Sequence, residues 1–303
     1  MSYGPPVITI DVEDWPQSTW DRSLPITERA VKNTRRILQL LSEIEVRATM
    51  FVLGKLAERF PQVIKEIQAD GHEVACHGHG HLEVGRQSPK EFLADVRRSK
   101  DLLEQIIGMQ VRGYRAPDFS IVHDTLWALD VLAEVGFEYD SSIVPARLPR
   151  YGIAGWPVLP TRVHLNQGGS ILEAPLATFQ ALGRNMPVGG GGYHRLLPGF
   201  ASRYFARRIM IDAPFVFYCH PYEFDVYELR EIPIRVPLAV RFYQGAGRRW
   251  FEQRFRSFVG CLGWQTMHDM LFSHSWQEFD PRSLPPDSMG LGKLSTPQST
   301  TVS

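Results

Sequence analysis

The sequence predicts an α/β protein whose parallel strands are joined by crossover helices. Two observations carry that prediction. From residue 7 to residue 140, short β-branched runs alternate with segments of helical hydrophobic spacing, the pattern of a parallel barrel or open sheet. The residues with chemical potential fall, run after run, at the carboxyl ends of the strands, the edge where α/β folds place their sites.

Val7–Ile10, after Pro5-Pro6, is a short buried strand that stops at the acidic cluster Asp11, Glu13 and Asp14. Thr27 caps a helix that gathers Val31, Thr34, Ile37, Leu38, Leu41 and Ile44 on one face. Ala48–Leu53 is the second strand. Ala57–Ala69 is helical, with a break near residue 60 or a new first turn at Pro61. His72–Cys76 is the third strand and runs into His77-Gly78-His79-Gly80-His81. Ser88-Pro89-Lys90-Glu91 is a capping box with proline at the first helical position, and its helix ends at Gly108. Val111–Tyr114 and Phe137–Tyr139 are strands flanking a helix over His123–Val135.

Beyond Asp140 the alternation loosens. Residues 145–170, rich in Pro, Gly and Arg, form a long loop, and Ile171–Ala174 and Phe215–Cys219 are strands. Gly189–Gly192 precedes no lysine in a phosphate-loop pattern and is read as a tight turn. Val236–Phe258 is helical around an interruption at Gly245–Gly247, and the polar chain from about Gln277 is expected to be disordered.

Composition narrows the function. The 303 residues suffice for one large domain or two ordinary ones, and 33 basic residues balance 33 acidic ones. That balance gives no electrostatic reason to expect nucleic acid or an anionic membrane as partner. No stretch approaches the roughly 20 apolar residues of a membrane span. Three scattered cysteines, Cys76, Cys219 and Cys261, are no disulfide framework. With no signal-peptide pattern at the N-terminus, the expected location is cytoplasmic.

The strand ends carry the chemistry. Asp11, Glu13 and Asp14 follow the first strand, His77 and His81 the third, Arg115 the fourth, Asp140 the fifth and His220 the Phe215–Cys219 strand. Two imidazoles four residues apart can meet on one metal ion when the backbone turns between them. A carboxylate with two imidazoles leaves metal positions open, as a catalytic site requires. His79 is read as a solvent-facing or supporting residue rather than a third ligand. Cys76 and Cys219 are read as buried apolar groups. Glu173 and Glu223 are read as solvated.

In ITIDVED, HGHGH, YRAPDFS, YDSS and FYCHPYEFD the chain resembles, over about residues 7–225, the polysaccharide deacetylase family (NodB homology, carbohydrate esterase family 4). The stretch from GGGGYHRLLP through RFYQGAGRR resembles, more loosely, the C-terminal extension of deacetylases associated with exopolysaccharide and exosortase systems. The resemblance implies a distorted (β/α)7 barrel over residues 1–225, a helical extension packed on it over 226–276, and a tail over 277–303. It implies one divalent metal ion, zinc by preference, and hydrolysis of the N-acetyl group of a carbohydrate with release of acetate.

Carried over by motif, His77 and His81 would be metal ligands and Asp11 the general base. Arg115 would orient Asp11, His220 would be the general acid, and Asp140 would lend support from behind. The family places two adjacent aspartates where this chain has Asp11-Val12, so the carboxylate ligand is Glu13 or Asp14. Strand alternation favours Glu13, and a turn from Val12 favours Asp14. The same barrel also serves allantoinase-like hydrolysis of small non-sugar amides. A catalytically silent sugar-binding protein is the third reading, disfavoured by Asp11, Arg115 and His220 occurring together.

Overall fold

The computed structural model describes residues 3–284. Eleven strands carry the fold: β1 (Val7–Val12), β2 (Thr49–Val52), β3 (Glu73–Cys76), β4 (Gly113–Tyr114), β5 (Tyr139–Asp140), β6 (Thr161–His164), β7 (Ser170–Glu173), β8 (Thr178–Ala181), β9 (Arg184–Pro187), β10 (Val216–Cys219) and β11 (Gln277–Phe279). Nine of them form one sheet in the order β10-β1-β2-β3-β4-β5-β7-β6-β11. Every pair in it is parallel except β6 with β7. The α/β class with a mostly parallel central sheet is thus the one the alternation predicted.

Helices Glu28–Glu43, Pro61–Ala69, Pro89–Ile107 and Trp127–Val135 are the crossovers, and one large apolar cluster joins their inner faces to the sheet. β1 is buried at every position. The helical pattern around residue 60 resolves as Gly54–Arg59 followed by a new helix with Pro61 in its first turn. The Ser88–Glu91 capping box is formed in both directions.

Register sets the height of each side chain. Val12, Val52, Cys76, Tyr114, Asp140 and Glu173 are successive partners across β1, β2, β3, β4, β5 and β7. The residues that follow are therefore delivered together at the sheet's carboxyl edge, Glu13, His77, Arg115 and Ser141 among them. On the other flank Ile10 pairs with Cys219, which sets His220 beside Asp11.

Four expectations are corrected. The loop expected over 145–170 contains β6, whose Thr161 and Val163 are buried while Arg162 and His164 are exposed. A strand of only four residues among prolines and glycines escaped a reading by composition. The segment from Gln277 is structured at its start, because Gln277–Phe279 pairs with β6 and Pro281–Ser283 forms a helical turn; the rest of the expected tail lies outside the described residues. The region between β7 and β10 also holds the β8–β9 hairpin and a helix over Gly199–Ile209.

The last correction concerns the four glycines, which are not a free turn. Gly189 accepts a hydrogen bond from the Tyr218 N–H at 2.8 Å, and Gly191 opens a helix over Gly191–Leu196. A side chain at Gly190 would lie 2.8 Å from the Tyr218 hydroxyl, and one at Gly191 would strike Glu223. These glycines let the backbone run flush against β10.

Candidate active site

Asp11, at the end of β1, is buried, and its Oδ1 accepts a hydrogen bond from Arg115 Nη1 at 2.7 Å. Arg115 is itself fully buried. It donates to the Thr9 hydroxyl at 2.8 Å, the Ser141 carbonyl at 3.0 Å and the Ser141 hydroxyl at 3.1 Å. Its guanidinium lies 4.1 Å from the centre of the Phe51 ring. A charge so deep requires a paired, fully hydrogen-bonded setting, and the fork geometry of Arg supplies it where a Lys would not.

The next residues up the strands converge on one point. One ligand atom each from Glu13, His77 and His81 lie within 4.8 Å of one another, all three residues buried. His77 Nδ1 donates to the Arg115 carbonyl at 2.8 Å, which leaves Nε2 as the free lone pair facing inward. His81 Nε2 stands 2.7 Å and His77 Nε2 3.6 Å from Glu13 Oε2. Despite that crowding, Glu13 Oε2 is buried without an aligned hydrogen-bond donor. Burial alone would raise the Glu13 carboxyl; the charges and contacts of His81, His77 and His220 hold it well below the ordinary carboxylate range. A buried carboxylate and two imidazoles aimed at one point, with an oxygen lacking a donor, fit a divalent cation.

The turn that returns His81 to His77 is conformationally demanding. Gly78 has φ +71° and His81 φ +59°. The loop is held by Asp95, which accepts from the His79 N–H at 2.8 Å, and by Arg22, which donates to the His81 carbonyl at 2.6 Å. His79 itself stands outside the three-ligand cluster, its Nε2 3.8 Å from Glu58.

Of Glu13 and Asp14, Glu13 is the one that meets the two histidines. Asp14 accepts the Thr27 N–H at 2.6 Å and the Thr27 hydroxyl at 3.0 Å instead. That explains why the Thr27 side chain makes no capping bond to its own helix: its hydroxyl is engaged by Asp14.

His220 closes the site from β10. Its Nε2 is 3.7 Å from Glu13 Oε1 and 3.9 Å from Asp11 Oδ2, and its ring stacks on Tyr222 with centroids 4.6 Å apart. Burial pushes its pKa down, but Glu223, Glu13 and Asp11 outweigh that and lift it to about 9. Glu223, expected to be solvated, is buried. It accepts the His220 N–H at 3.1 Å and places Oε2 3.4 Å from Nδ1. Arg195 Nε lies 3.0 Å from its other oxygen.

Asp140 stands behind this group. It accepts from the Ser142 hydroxyl at 2.5 Å, and that hydroxyl accepts the Ala116 N–H at 2.7 Å, fixing the backbone just after Arg115. Glu173, also expected to be solvated, is fully buried and accepts the Ile143 N–H at 3.0 Å. Burial, then the neighbouring Asp140, raises the Glu173 carboxyl well above its ordinary value. Cys76 and Cys219 are buried free thiols, as expected. The site thus joins seven of the eight residues singled out in the sequence, directly or through one hydrogen-bonded neighbour; Asp14 stands apart on Thr27. Thr9, Ser141, Ser142 and Arg195 were not singled out, and Glu223 was read as solvated. The two serines stand in YDSS and were legible there, whereas Arg195 stands in GGGGYHRLLP, whose looser resemblance gave it no role.

Residues 5–139 match the family model described as polysaccharide deacetylase, and residues 141–282 match a domain of unknown function, DUF3473. A peptidoglycan-N-acetylglucosamine deacetylase of Bacillus cereus is 30% identical over 98 residues, 32% of this chain and 36% of that protein. A peptidoglycan deacetylase of Helicobacter pylori is 32% identical over 111 residues, 36% of each. The chain thus spans about a third of the length of these relatives. A crystal structure assigned to the polysaccharide deacetylases, from Mycobacterium smegmatis, superposes with a TM-score of 0.56 at 22% identity, covering 89% of this chain and 90% of that one. That likeness extends the shared fold across both matched regions. Residues 5–139 of the chain thus carry a polysaccharide deacetylase domain, followed by a DUF3473 region over 141–282.

Proposed function

We propose that this protein is a metal-dependent N-deacetylase of an N-acetylated sugar in a bacterial exopolysaccharide or its precursor, releasing acetate. The observation that supports it most is the convergence of a base and an acid on one cation-fitting cluster. Asp11 Oδ2 and Glu13 Oε1 lie 3.9 Å and 3.7 Å from the same His220 nitrogen.

Glu13, His77 and His81 would hold the ion. When bound, a divalent cation supplies Lewis-acid polarisation of the acetyl carbonyl and makes water easier to ionise. Asp11, fixed through Oδ1 by Arg115, presents Oδ2 to take the proton of the attacking water. His220 gives its Nε2 proton to the departing amine, which leaves poorly unless protonated. Glu223, beside Nδ1, favours the protonated imidazole that this step needs. Ser142 and Asp140 hold the strand end that carries Arg115.

Zinc is the preferred ion for one carboxylate and two imidazoles. The free thiols favour a reducing, cytoplasmic location, and among the described residues no helix is long and apolar enough to cross a membrane. The test is acetate release from N-acetylglucosamine oligomers and from native exopolysaccharide, after chelation and after zinc is restored. Metal-dependent acetate supports the reading. Cleavage of allantoin without acetate, or no turnover of any of these by zinc-loaded protein, overturns it.

A further inference from the structure

Overall neutrality conceals a segregation of charge. Residues 191–212 and 235–256 contain ten arginines, no lysine and two acids, Asp212 and Glu252. Arg195 and Arg248 are buried against Glu223 and Glu228. Arg207, Arg235, Arg241 and Arg249 have no acidic partner among the described residues. The rest of the chain carries the compensating negative excess.

The same segments hold several strongly exposed apolar side chains. In helix Leu238–Gly245 no residue is buried. Leu238 and Phe242, one turn apart, are each 82% exposed, while Val240 packs inward on the Trp15, Leu229, Ile232 and Val236 cluster. Trp250 is 52% and Leu196 57% exposed. Hydrogen bonds and a ring contact tie together the segments that carry them. Arg195 Nη1 donates to the Gln244 and Ala246 carbonyls at 2.6 and 3.0 Å, Arg254 Nη1 donates to the Leu197 carbonyl at 3.2 Å, and the Arg254 guanidinium lies 5.9 Å from the Trp250 ring. Single exposed hydrophobes are ordinary, but a leucine, phenylalanine and tryptophan face set among unpaired arginines is not. It has the composition of a helix that lies in a membrane interface, with apolar groups in the acyl boundary and arginines on anionic headgroups.

We propose that helix Leu238–Gly245, with Trp250, docks this protein onto an anionic bilayer surface. The proposal stands apart from the deacetylase reading and uses none of its residues. Arg195 nevertheless connects the two places, because it bonds the end of the docking helix and also contacts Glu223 behind His220.

The full-length protein is sedimented with vesicles of phosphatidylcholine alone and of phosphatidylcholine with phosphatidylglycerol, at low and high salt. Binding is expected only to the anionic vesicles, weakening with salt as surface charge is screened. The Leu238→Ser/Phe242→Ser variant should bind at least about tenfold more weakly with an unchanged melting temperature, since both positions are solvent-exposed. Absence of binding, or equal binding by the variant, overturns the proposal. So does concentration-dependent self-association that the double substitution abolishes without any vesicle binding, which would make the partner a second copy of this chain.

Discussion

Arg195 Nε lies 3.0 Å from Glu223 Oε1, both residues buried, and Glu223 accepts the backbone N–H of His220. A side chain from the DUF3473 region therefore braces the carboxylate behind the proposed general acid. Removing one member of a buried pair strands the other, at a cost on the order of 3–5 kcal/mol. Arg195→Gln is expected to destabilise by that order. Glu223→Gln, which keeps an acceptor for the His220 N–H, should lower kcat roughly 10- to 100-fold with little change in KM. Steady-state kinetics beside thermal melts check both, and a Glu223→Gln protein with unchanged kcat would detach Glu223 from His220's function.

Glu13 and Asp14 separate cleanly by experiment. Glu13→Ala should abolish stoichiometric zinc binding, measured by metal analysis after dialysis. Asp14→Asn should retain the metal while costing about 1 kcal/mol, the scale of a lost bond at a helix start, because Asp14 serves Thr27 rather than the cluster. Metal loss in the Asp14 variant alone would reverse the assignment.

Arg115→Lys preserves charge but not the fork that reaches Asp11, Thr9 and Ser141 together. A loss of at least about 100-fold in kcat is expected, the scale on which a general base contributes. Zinc affinity should change far less. Activity within a few-fold of the parent would show that Asp11 needs no such orientation.

His194 sets an acid limit on stability. It is buried among the rings of Phe217, Phe251 and Phe258, and burial lowers its pKa from 6.5 to about 4. The unfolded chain therefore binds a proton between these values that the folded chain refuses. Stability is full above pH 6.5 and falls as the pH drops toward 4, by roughly 3 kcal/mol for this group. Urea titrations across that window should show a shallower slope in His194→Gln. An identical slope would place the acid sensitivity elsewhere.

How far the site was legible depended on where its residues stood. Asp11, His77, His81, Arg115 and His220 end strands whose hydrophobic runs are plain, and a parallel sheet brings strand ends together whatever the loops do. Glu13 against Asp14 could not be decided from the sequence because the choice rests on Thr27, whose hydroxyl meets Asp14 rather than its own helix. Glu173 looked solvated because its partner, the Ile143 N–H, lies 30 residues away, and Glu223 because a turn does not show the distant Arg195 that meets it in the fold. Arg195 stands in GGGGYHRLLP, but its reach to Glu223 was not visible there. The four glycines looked like a turn, whereas their lack of side chains serves a close approach to Tyr218 and Glu223.

β1 takes β10 as its neighbour, with Thr9 donating to the Phe217 carbonyl across 208 residues. A ribosome delivers Asp11 first and His220 about two-thirds of the chain later. During synthesis the ion-holding residues and Arg115 can assemble on β1–β4 while one edge of β1 stays unpaired, open to wrong partners. On the proposed roles, the general acid then arrives with the strand that covers that edge, so a chain stalled before β10 would hold the ion's ligands without the group that protonates the amine.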